Sequence, residues 1–304
     1  MFIVKYRKIF FTISAILISA SLLSIAFFGL NFGIDFTGGA LMEVRYPFGR
    51  PGKADVSAQL NNLPLGGYSI RPSGEEAFIL RTRDLSPDEH KVILQTLSFN
   101  NEREILVERF TSVGPSIGAE LASKALVAIG IVVLVIVLFV AFAFRKVNEP
   151  VSSWKYGIIA IVALLHDIIV PTGLFAILGA VFGAEVDALF IMALLVILGY
   201  SVNDTIVVFD RVRENLRRNR EMNAREDFEL TVGKSLNQTF TRSINTSLTT
   251  ILALLALFFL GAPITQNFTL VLITGIVAGT YSSIALATPL LVVVANWRGS
   301  HLKK

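Results

Sequence analysis

The sequence predicts a multi-pass α-helical membrane protein with six transmembrane helices and a small α+β domain of ferredoxin-like fold outside the membrane. Hydrophobic residues make up 53% of the 304 residues and charged residues 16%, whereas an ordinary soluble domain is about one quarter charged. Six apolar stretches reach or approach the roughly 20 helical residues that cross a bilayer. The long segment between the first two stretches instead combines strand and helix patterns, which predicts a separate folded domain.

The six apolar stretches extend from near the N-terminus to near the C-terminus, which excludes a cytosolic enzyme. They are residues 9–30, 125–144, 156–182, 186–209, 243–260 and 268–297. Basic residues precede the first stretch, as they do in a signal peptide. Apolar sequence continues well past Ser19-Ala20-Ser21, however, so we expect an uncleaved anchor.

Lysine and arginine near the ends of these stretches predict the orientation of the chain. On one side of the membrane we expect Lys5, Arg7, Lys8, Arg145, Lys146, Lys155, Arg211, Arg213, Arg217, Arg218, Arg220, Arg242, Arg298, Lys303 and Lys304. Of the two short connections on the other side, one contains Glu185 and Asp187 and the other, residues 261–266, is uncharged. Because basic residues favour the cytoplasmic side, both termini are predicted to lie in the cytoplasm.

This path predicts the domain organisation. Residues 1–30 form the cytoplasmic N-terminus and first span, 31–115 the extracytoplasmic domain, and 116–304 the other five spans with a cytoplasmic loop at 210–242. The net charge of +4 does not indicate a nucleic-acid partner, because the basic residues flank the spans and do not share one polar face.

The extracytoplasmic segment shows the β-α-β-β-α-β order of the split βαβ, ferredoxin-like fold. The predicted strands are residues 40–46, 68–71, 77–82 and 104–110, and the predicted helices are residues 53–63 and 86–97. The run Ser86-Pro87-Asp88-Glu89 is typical of a helix N-terminus. At the two ends of the segment, Gly38-Gly39 and Gly114-Pro115 are either hinges or ordinary turns.

The fourth apolar stretch contains a carboxylate inside the membrane. Asp204 lies about 16 residues past the outer acidic connection, or roughly 24 Å along a helix. A carboxylate at such a depth costs on the order of 3 kcal/mol and usually marks an ion or proton pathway. Tyr200 lies one turn before Asp204, and Ser201 and Thr205 form the next row, which predicts a polar stripe. A structural hydrogen bond, or a side chain that extends to the cytoplasmic interface, would also explain Asp204.

The third stretch contains two adjacent polar residues near the middle of the membrane, His166 and Asp167. Neighbouring residues on a helix point about 100° apart, so we expect one of the two to face inward and the other to pack against a neighbouring helix. Pro171 removes the amide that would bond to the Asp167 carbonyl and permits a kink. The alternative is structural support, in which the imidazole hydrogen bonds to a neighbouring helix.

The last two stretches add a candidate counter-charge and a packing face. Arg242, at the start of the fifth stretch, is the best-placed counter-charge to Asp204, since both lie in the cytoplasmic half of the membrane. Asn245 continues a polar row behind it. Arg242 is alternatively an anchor that follows the positive-inside rule. In the sixth stretch, Gly275 and Gly279 form a small-residue face typical of close helix packing.

Several kinds of chemistry are excluded or disfavoured. The chain has no cysteine, so it has no disulfide framework, thiolate metal site or cysteine nucleophile. The extracytoplasmic segment has no metal triad or phosphate loop. Asp167 and Asp204 lie in the contexts LHD and VND, which are not the YD and GxGD motifs of intramembrane aspartyl proteases. We therefore predict that the chain is not an enzyme and binds no metal or cofactor.

Five motifs give the sequence a specific resemblance to the SecF family of protein-export membrane subunits. They are GIDFTGG at 33–39, VGPSIG at 113–118, the His166-Asp167 pair, GYSVNDTIVVFDRVREN at 199–215 and RSINTSLTT at 242–250. The resemblance covers nearly the whole chain, and the GIDFTGG form is more similar to SecF than to its sister family SecD. It implies a relationship to the resistance-nodulation-division transporters.

The resemblance implies a function, partners and residue roles. A SecF-like half-transporter pairs with a SecD-like subunit beside the SecYEG channel in the lipids of the bacterial cytoplasmic membrane, with YajC and YidC as further partners. It uses the proton-motive force, with protons as the coupling ion, to help draw unfolded preproteins across. In the family pattern Asp204 carries the proton, Arg242 shares the relay, and Asn203 is their polar neighbour. His166 and Asp167 match a family motif without a defined role.

Two other functions remain open. A non-conducting scaffold for the export channel would use every polar residue inside the membrane to join helices. A proton-coupled exporter of small molecules or lipids from the same superfamily is less favoured, because the extracytoplasmic domain is small and single. Proton-coupled activity in reconstituted vesicles would distinguish the scaffold from a motor.

The predicted path can be tested by cysteine labelling, because the chain has no native cysteine. Ser57→Cys should react with a membrane-impermeant thiol reagent in intact cells, whereas Ser153→Cys should react only after the cells are opened. The measurement is the labelled fraction of each variant before and after lysis. Labelling of Ser153→Cys in intact cells would contradict the six-span path.

Overall fold

The structure of the chain is a computed structural model that describes residues 2–145, 151–224 and 226–301. It divides into a membrane unit, residues 1–31 with 127–304, and a second unit, residues 32–126. Lys146, Lys303 and Lys304, which contribute to the predicted orientation, lie outside the described residues.

The elements follow the order that the hydropathy and periodicity predict. The helices are α1 (Phe2–Lys5), α2 (Arg7–Phe28), α3 (Ile34–Thr37), α4 (Lys53–Leu60), α5 (Pro87–Leu97), α6 (Pro115–Ala143), α7 (Ser153–Phe182), α8 (Ala188–Glu221), α9 (Phe228–Leu260), α10 (Pro263–Ser282) and α11 (Thr288–His301), with a π-helical turn at Ser283–Ala287 between the last two. The strands are β1 (Gly39–Arg45), β2 (Tyr68–Ser73), β3 (Ala77–Thr82) and β4 (Leu106–Val113).

Six helical segments in the described part of the chain are long and apolar enough to cross a membrane, which confirms the predicted number of spans. They are α2, α6, α7, α8, α9 and the continuous segment from Ile264 to Asn296. The segments differ in how much of their surface the chain itself covers. In α7, α8 and the segment from Ile264 to Asn296, half or more of the apolar part is buried within the chain. In α6 and α9, little of the apolar part is buried.

The predicted cytoplasmic loop at 210–242 is mostly helical, because α8 continues to Glu221 and α9 begins at Phe228. Charged side chains one turn apart stabilise the α8 extension. Arg213 pairs with Asp210 at 2.5 Å, and Arg217 with Glu221 at 2.8 Å. A polar run between two apolar stretches therefore forms a helical hairpin instead of an irregular loop.

The second unit confirms the predicted ferredoxin-like topology. Its four strands form one sheet in the order β2-β3-β1-β4, and every neighbouring pair is antiparallel. Alternate β1 residues face a core to which both α4 and α5 contribute, and its members include Met42, Val44, Leu60, Ile70, Leu80, Ile93 and Leu97. Tyr46 is buried in this core and its hydroxyl donates to the Leu97 carbonyl at 3.0 Å. Burial raises the pKa of the Tyr46 phenol to about 12.

The predicted helix start at Ser86 is a complete capping box. The Glu89 amide donates to Ser86 Oγ at 3.3 Å, and the Ser86 amide donates to Glu89 Oε2 at 2.9 Å. Arg83 forms an ion pair with the same carboxylate. Hydrogen bonds from Arg83 first, and then from Ser86, lower the pKa of Glu89 from 4.5 to about 2.

The chain enters and leaves this domain through closely packed backbone. Gly38 and Gly39 have positive φ angles of 74° and 127°, a conformation that favours glycine. A Cβ at Gly38 would lie 2.7 Å from Pro115 Cα, and a Cβ at Gly118 would lie 2.8 Å from the Gly38 nitrogen. The first turn of α6 therefore packs within this compact unit, which covers residues 32–126. Whether Gly38, Gly39, Gly114 and Pro115 act as hinges stays a prediction.

We expect residues 39–112 to fold when expressed alone in water, because the two helices and four strands bury one contiguous apolar core. A dispersed amide nuclear magnetic resonance spectrum would confirm this expectation. A collapsed, poorly dispersed spectrum would show that the domain requires the rest of the chain.

Glu89→Gln should lower the stability of this domain at neutral pH, because it removes a carboxylate that the folded state stabilises. The folded pKa lies below the ordinary value, so the contribution is fully present above pH 4.5 and is lost as the pH falls towards about 2. The free energy of unfolding, measured by urea titration at several pH values, should therefore differ most near neutrality. Glu75→Gln, at an exposed carboxylate in the turn after β2, is the matched control. A Glu89→Gln deficit that persists unchanged at pH 2 would contradict this assignment.

Candidate functional site within the membrane helices

The buried face of α8 carries the carboxylate that the sequence places inside the membrane. Asp204 is 5% exposed, and Ser201 and Thr205 on the same face are 2% exposed each. Tyr200 is half-buried, whereas Asn203 is exposed. The predicted polar stripe therefore divides into an inward part around Asp204 and an outward part around Asn203.

Hydroxyl groups from two other helices surround Asp204. Ser247 on α9 donates to Asp204 Oδ2 at 3.5 Å and is itself 2.6 Å from Thr280 Oγ1 on α10. Ser243, one turn before Ser247, is also buried. The carboxylate thus lies where α8, α9 and α10 meet, in contact with a group that can both donate and accept a hydrogen bond.

Arg242, the predicted counter-charge, does not pair directly with Asp204 in this structure. In the described part of the chain no ion pair joins the two side chains within 4.0 Å, and Arg242 is exposed. Its neighbour Ser243 is buried, whereas the arginine side chain itself is exposed. It lines a cavity of about 290 Å³ together with Val207, Asp210, Arg211, Glu214, Gln238 and Thr239.

The outward polar residues form a second feature of α8 and α9. Asn203, Arg242, Asn245 and Thr249 are all exposed. The Tyr200 hydroxyl lies 3.1 Å from the Thr250 hydroxyl at the edge of this group. Exposed polar side chains on membrane helices require protein or water around them, because lipid chains offer no hydrogen bonds. We call these four residues and Tyr200 the outer polar face.

His166 and Asp167 are both fully buried, at 0% exposure, as an inward polar group and a helix-packing neighbour both would be. The physical reason is that α7 packs against α2, α8 and α10, and contacts on several sides enclose both directions. The two side chains also turn towards each other. His166 Nδ1 lies 2.9 Å from Asp167 Oδ1.

The second Asp167 oxygen joins two further helices. Oδ2 accepts hydrogen bonds from Ser201 on α8 and from Ser282 on α10, the latter at 2.9 Å. The His166 ring stacks on Tyr281 of α10 at a centroid distance of 5.8 Å. Tyr281 in turn donates to the Phe10 carbonyl of α2 at 2.8 Å.

Close helix approach makes these contacts possible. A Cβ at Gly275 would lie 2.1 Å from Ile197 Cδ1, and one at Gly279 would lie 2.9 Å from Ser201 Cβ. These glycines lie where α10 packs against α8. Because neither position carries a side chain, α10 lies close enough to α8 for Ser282 to reach Asp167 and for Thr280 to reach the Ser247 hydroxyl.

Sequence reasoning missed the hydroxyl residues of this site, namely Ser243, Ser247, Thr280, Ser282 and Ser283. Their shared signal is a set of serines and threonines within apolar stretches that carry no charge. Such residues usually bond back to their own helix, so the sequence alone did not distinguish them from helix-internal hydroxyls. Among the described residues, no group of three or more histidine, cysteine or acidic side chains lies together as a metal site would require.

Two family models match the sequence. The model described as protein export membrane protein SecD/SecF, C-terminal, matches residues 93–297, and the SecD/SecF GG motif matches residues 23–46. Together these segments include the site, both glycines of Gly38-Gly39 and all six membrane segments in part or whole.

Curated relatives and a solved structure are similar over nearly the full chain. The protein translocase subunit SecF of Thermobaculum terrenum is 42% identical over 97% of this chain and 94% of its own length. The subunit of the same name from Anaerolinea thermophila is 38% identical over 96% of this chain and 94% of its own length. The crystal structure of SecDF, a translocon-associated membrane protein from Thermus thermophilus, matches 96% of this chain with 32% identity and a TM-score of 0.80. This chain covers 38% of that longer SecDF chain.

Proposed function

This chain belongs to the SecD/SecF family of protein-export membrane proteins, and we propose that it couples the proton-motive force to export through reversible protonation of Asp204. Its general function is that of a SecF subunit of the Sec protein translocase, a multi-pass membrane protein that works with a SecD partner. The observation that supports proton coupling is a carboxylate buried between three helices, with a hydroxyl and no ion-paired cation in contact among the described residues.

The surroundings of Asp204 suit both of its protonation states. A serine hydroxyl donates to a carboxylate and accepts from a carboxylic acid, so Ser247 can remain in contact when the proton enters or leaves. Burial of the charged form in the membrane costs on the order of 3 kcal/mol, and the neutral form avoids most of that cost. The two states therefore differ little enough in free energy for a proton gradient to interconvert them.

The gradient supplies energy of the required size. One proton that crosses a potential of 100 mV releases about 2.3 kcal/mol. A free-energy change of about 5.5 kcal/mol inverts a two-state population from 1:99 to 99:1. A few protons for each cycle are therefore sufficient to drive one arrangement of the helices into another.

We assign Arg242 the role of counter-charge in a second arrangement. It lies on the same helix as Ser247, is exposed, and forms no ion pair with Asp204 among the described residues. A rotation of α9 or a change of rotamer would bring the guanidinium towards Asp204 and favour the ionised carboxylate. Exchange between these two arrangements would couple proton binding to helix movement.

The outer polar face is the surface that we propose the SecD partner covers. Asn203, Arg242, Asn245 and Thr249 are exposed, and the last three lie on α9, of which the chain itself covers little. A partner with its own acidic or polar groups at this depth would complete the proton pathway. The solved SecDF chain is longer than this one, which covers 38% of it, and this supports a SecD partner.

The remaining assignments follow the family. We propose a location in the bacterial cytoplasmic membrane with both termini in the cytoplasm, in agreement with the basic residues beside the spans. SecYEG, and with it YajC and YidC, are the proposed further partners, and an unfolded preprotein is the transported substrate. The chain acts without enzymatic chemistry or a bound cofactor, and the proton is the coupling ion.

A structural scaffold is the competing function, because the same polar contacts join four helices.

Asp204→Asn should abolish proton-driven export and leave assembly with the SecD partner intact, because the amide keeps the shape of the carboxyl but does not titrate. Asp204→Glu should keep part of the activity, since it retains a titratable group. Arg242→Lys should lose more export activity than its retained positive charge suggests, because an ammonium lacks the planar fork of a guanidinium. The measurement is preprotein export by the reconstituted complex with and without an imposed proton gradient.

The matched control is Glu221→Gln at the exposed end of α8, which should export normally. A scaffold predicts the opposite order of severity, with the isosteric asparagine tolerated and the longer glutamate disruptive. Normal export by Asp204→Asn under a full gradient would therefore remove Asp204 from the coupling mechanism.

A further inference from the structure

We propose that His166 and Asp167 form a second proton-binding site, and that its protonation state controls how α8 and α10 are held around Asp204. This inference rests on the proposed function for its link to export. The protonation of the pair is a separate property that can be measured whether or not Asp204 carries the coupling proton.

Both oxygens of Asp167 are engaged, each by a different kind of donor. Oδ1 contacts the imidazole of the neighbouring His166 at 2.9 Å. Oδ2 accepts from the hydroxyls of Ser201 and Ser282. One carboxyl group thus connects α7 to α8 and α10, and all four side chains are buried.

The charge balance around the pair requires a proton. Among the elements packed against α7, α10 carries Tyr281, and α8 carries Tyr200 and Asp204 with further charged residues only from Asp210 onwards. The other charged or titratable residues are Arg7 and Lys8 at the start of α2 and Arg298 and His301 near the end of α11. An ionised Asp167 beside a neutral His166 would leave one uncompensated negative charge in the bundle, at a cost of several kcal/mol. One proton held between the two groups removes that charge, as an imidazolium with a carboxylate or as an imidazole with a carboxylic acid.

A second observation shows where the pair can exchange this proton. His166 Nε2 is buried and has no hydrogen-bond partner among the described residues. An imidazole uses its two nitrogens for different roles, so Nδ1 can remain on Asp167 while Nε2 receives or releases a proton. A histidine that served packing alone would be expected to satisfy both ring nitrogens.

The contacts of α8 and α10 link this pair to Asp204. On α8, Ser201 lies three residues before Asp204 on the same buried face and donates to Asp167. On α10, Ser282 donates to Asp167, and Thr280 contacts the Ser247 hydroxyl that donates to Asp204. Each of these two helices therefore contacts both carboxyl groups, directly or through one hydroxyl.

Protonation of Asp167 would change this arrangement. A carboxylate Oδ2 accepts both serine hydroxyls, whereas a protonated Oδ2 becomes a donor and cannot accept both in the same geometry. At least one serine must then reorient. The turn after Ser282 is π-helical, and its first residue, Ser283, contacts Thr205 at 2.8 Å. Such a turn contains a residue beyond the regular helical repeat, which gives α10 a place to adjust.

Protonation can be measured by solid-state nuclear magnetic resonance of ¹⁵N-histidine in the complex with its SecD partner in lipid bilayers. The ring signals that disappear in His166→Gln belong to His166. Between about pH 5 and about pH 8 these signals should report a change in the protonation of the His166 ring. In Asp167→Asn this change should be absent, or its midpoint should move by at least about one pH unit. A His166 ring with one unchanged protonation state over that range, in both proteins, would overturn the proposal.

The link to export is tested by the pH dependence of proton-driven transport by the same complex. Asp167→Asn and His166→Gln should shift or flatten the pH profile. The matched control is Thr274→Val, which removes a half-buried hydroxyl of α10 that bonds back to the Leu270 carbonyl. This control should leave the pH profile unchanged. Equal losses of rate at every pH would assign the pair a structural role only. If Asp204→Asn exports normally while the His166 titration is observed, the proposed function fails and the second proton site remains.

Discussion

The free-energy cost of placing carboxyl groups between membrane helices is the constraint on which the rest of the membrane unit depends. Asp167 and Asp204 are both buried, and both receive hydrogen bonds from serine hydroxyls on neighbouring helices. A hydroxyl lowers the cost of a buried charge without adding a second charge. Asp204 can therefore change its protonation state and keep its contact with Ser247, whereas a change at Asp167 requires one of its two serines to reorient.

This constraint also determines how the helices pack. Hydroxyls reach the carboxyl groups only where helix backbones approach closely, and Gly279 provides this approach between α10 and α8. Gly173 does the same between α7 and α2, since a Cβ there would lie 2.3 Å from Ser21 Cβ. The inner helices are thereby fixed around the two acids. The outer polar face of α8 and α9 has no comparable cover among the described residues.

Much of the fold could be predicted from the sequence, because bilayer thickness and strand alternation impose simple periods on hydrophobic residues. The six spans, the strand order of the second unit and the capping box at Ser86 follow from such local rules. The side-chain directions at the site did not follow. Asp167 joins α7 to hydroxyl groups of α8 and α10, and Arg242 is exposed and forms no ion pair with Asp204 among the described residues. These outcomes depend on contacts between helices that no single stretch encodes.

The interaction between Ser201 and Asp167 tests most directly whether hydroxyl contacts to buried acids hold these helices together. A double-mutant cycle with Ser201→Ala and Asp167→Ala can be measured from the unfolding midpoint of the complex in mixed micelles titrated with sodium dodecyl sulfate. The account predicts that the two substitutions are non-additive by about 1 kcal/mol or more, because each removes the same contact. Additive effects of the two substitutions would contradict it.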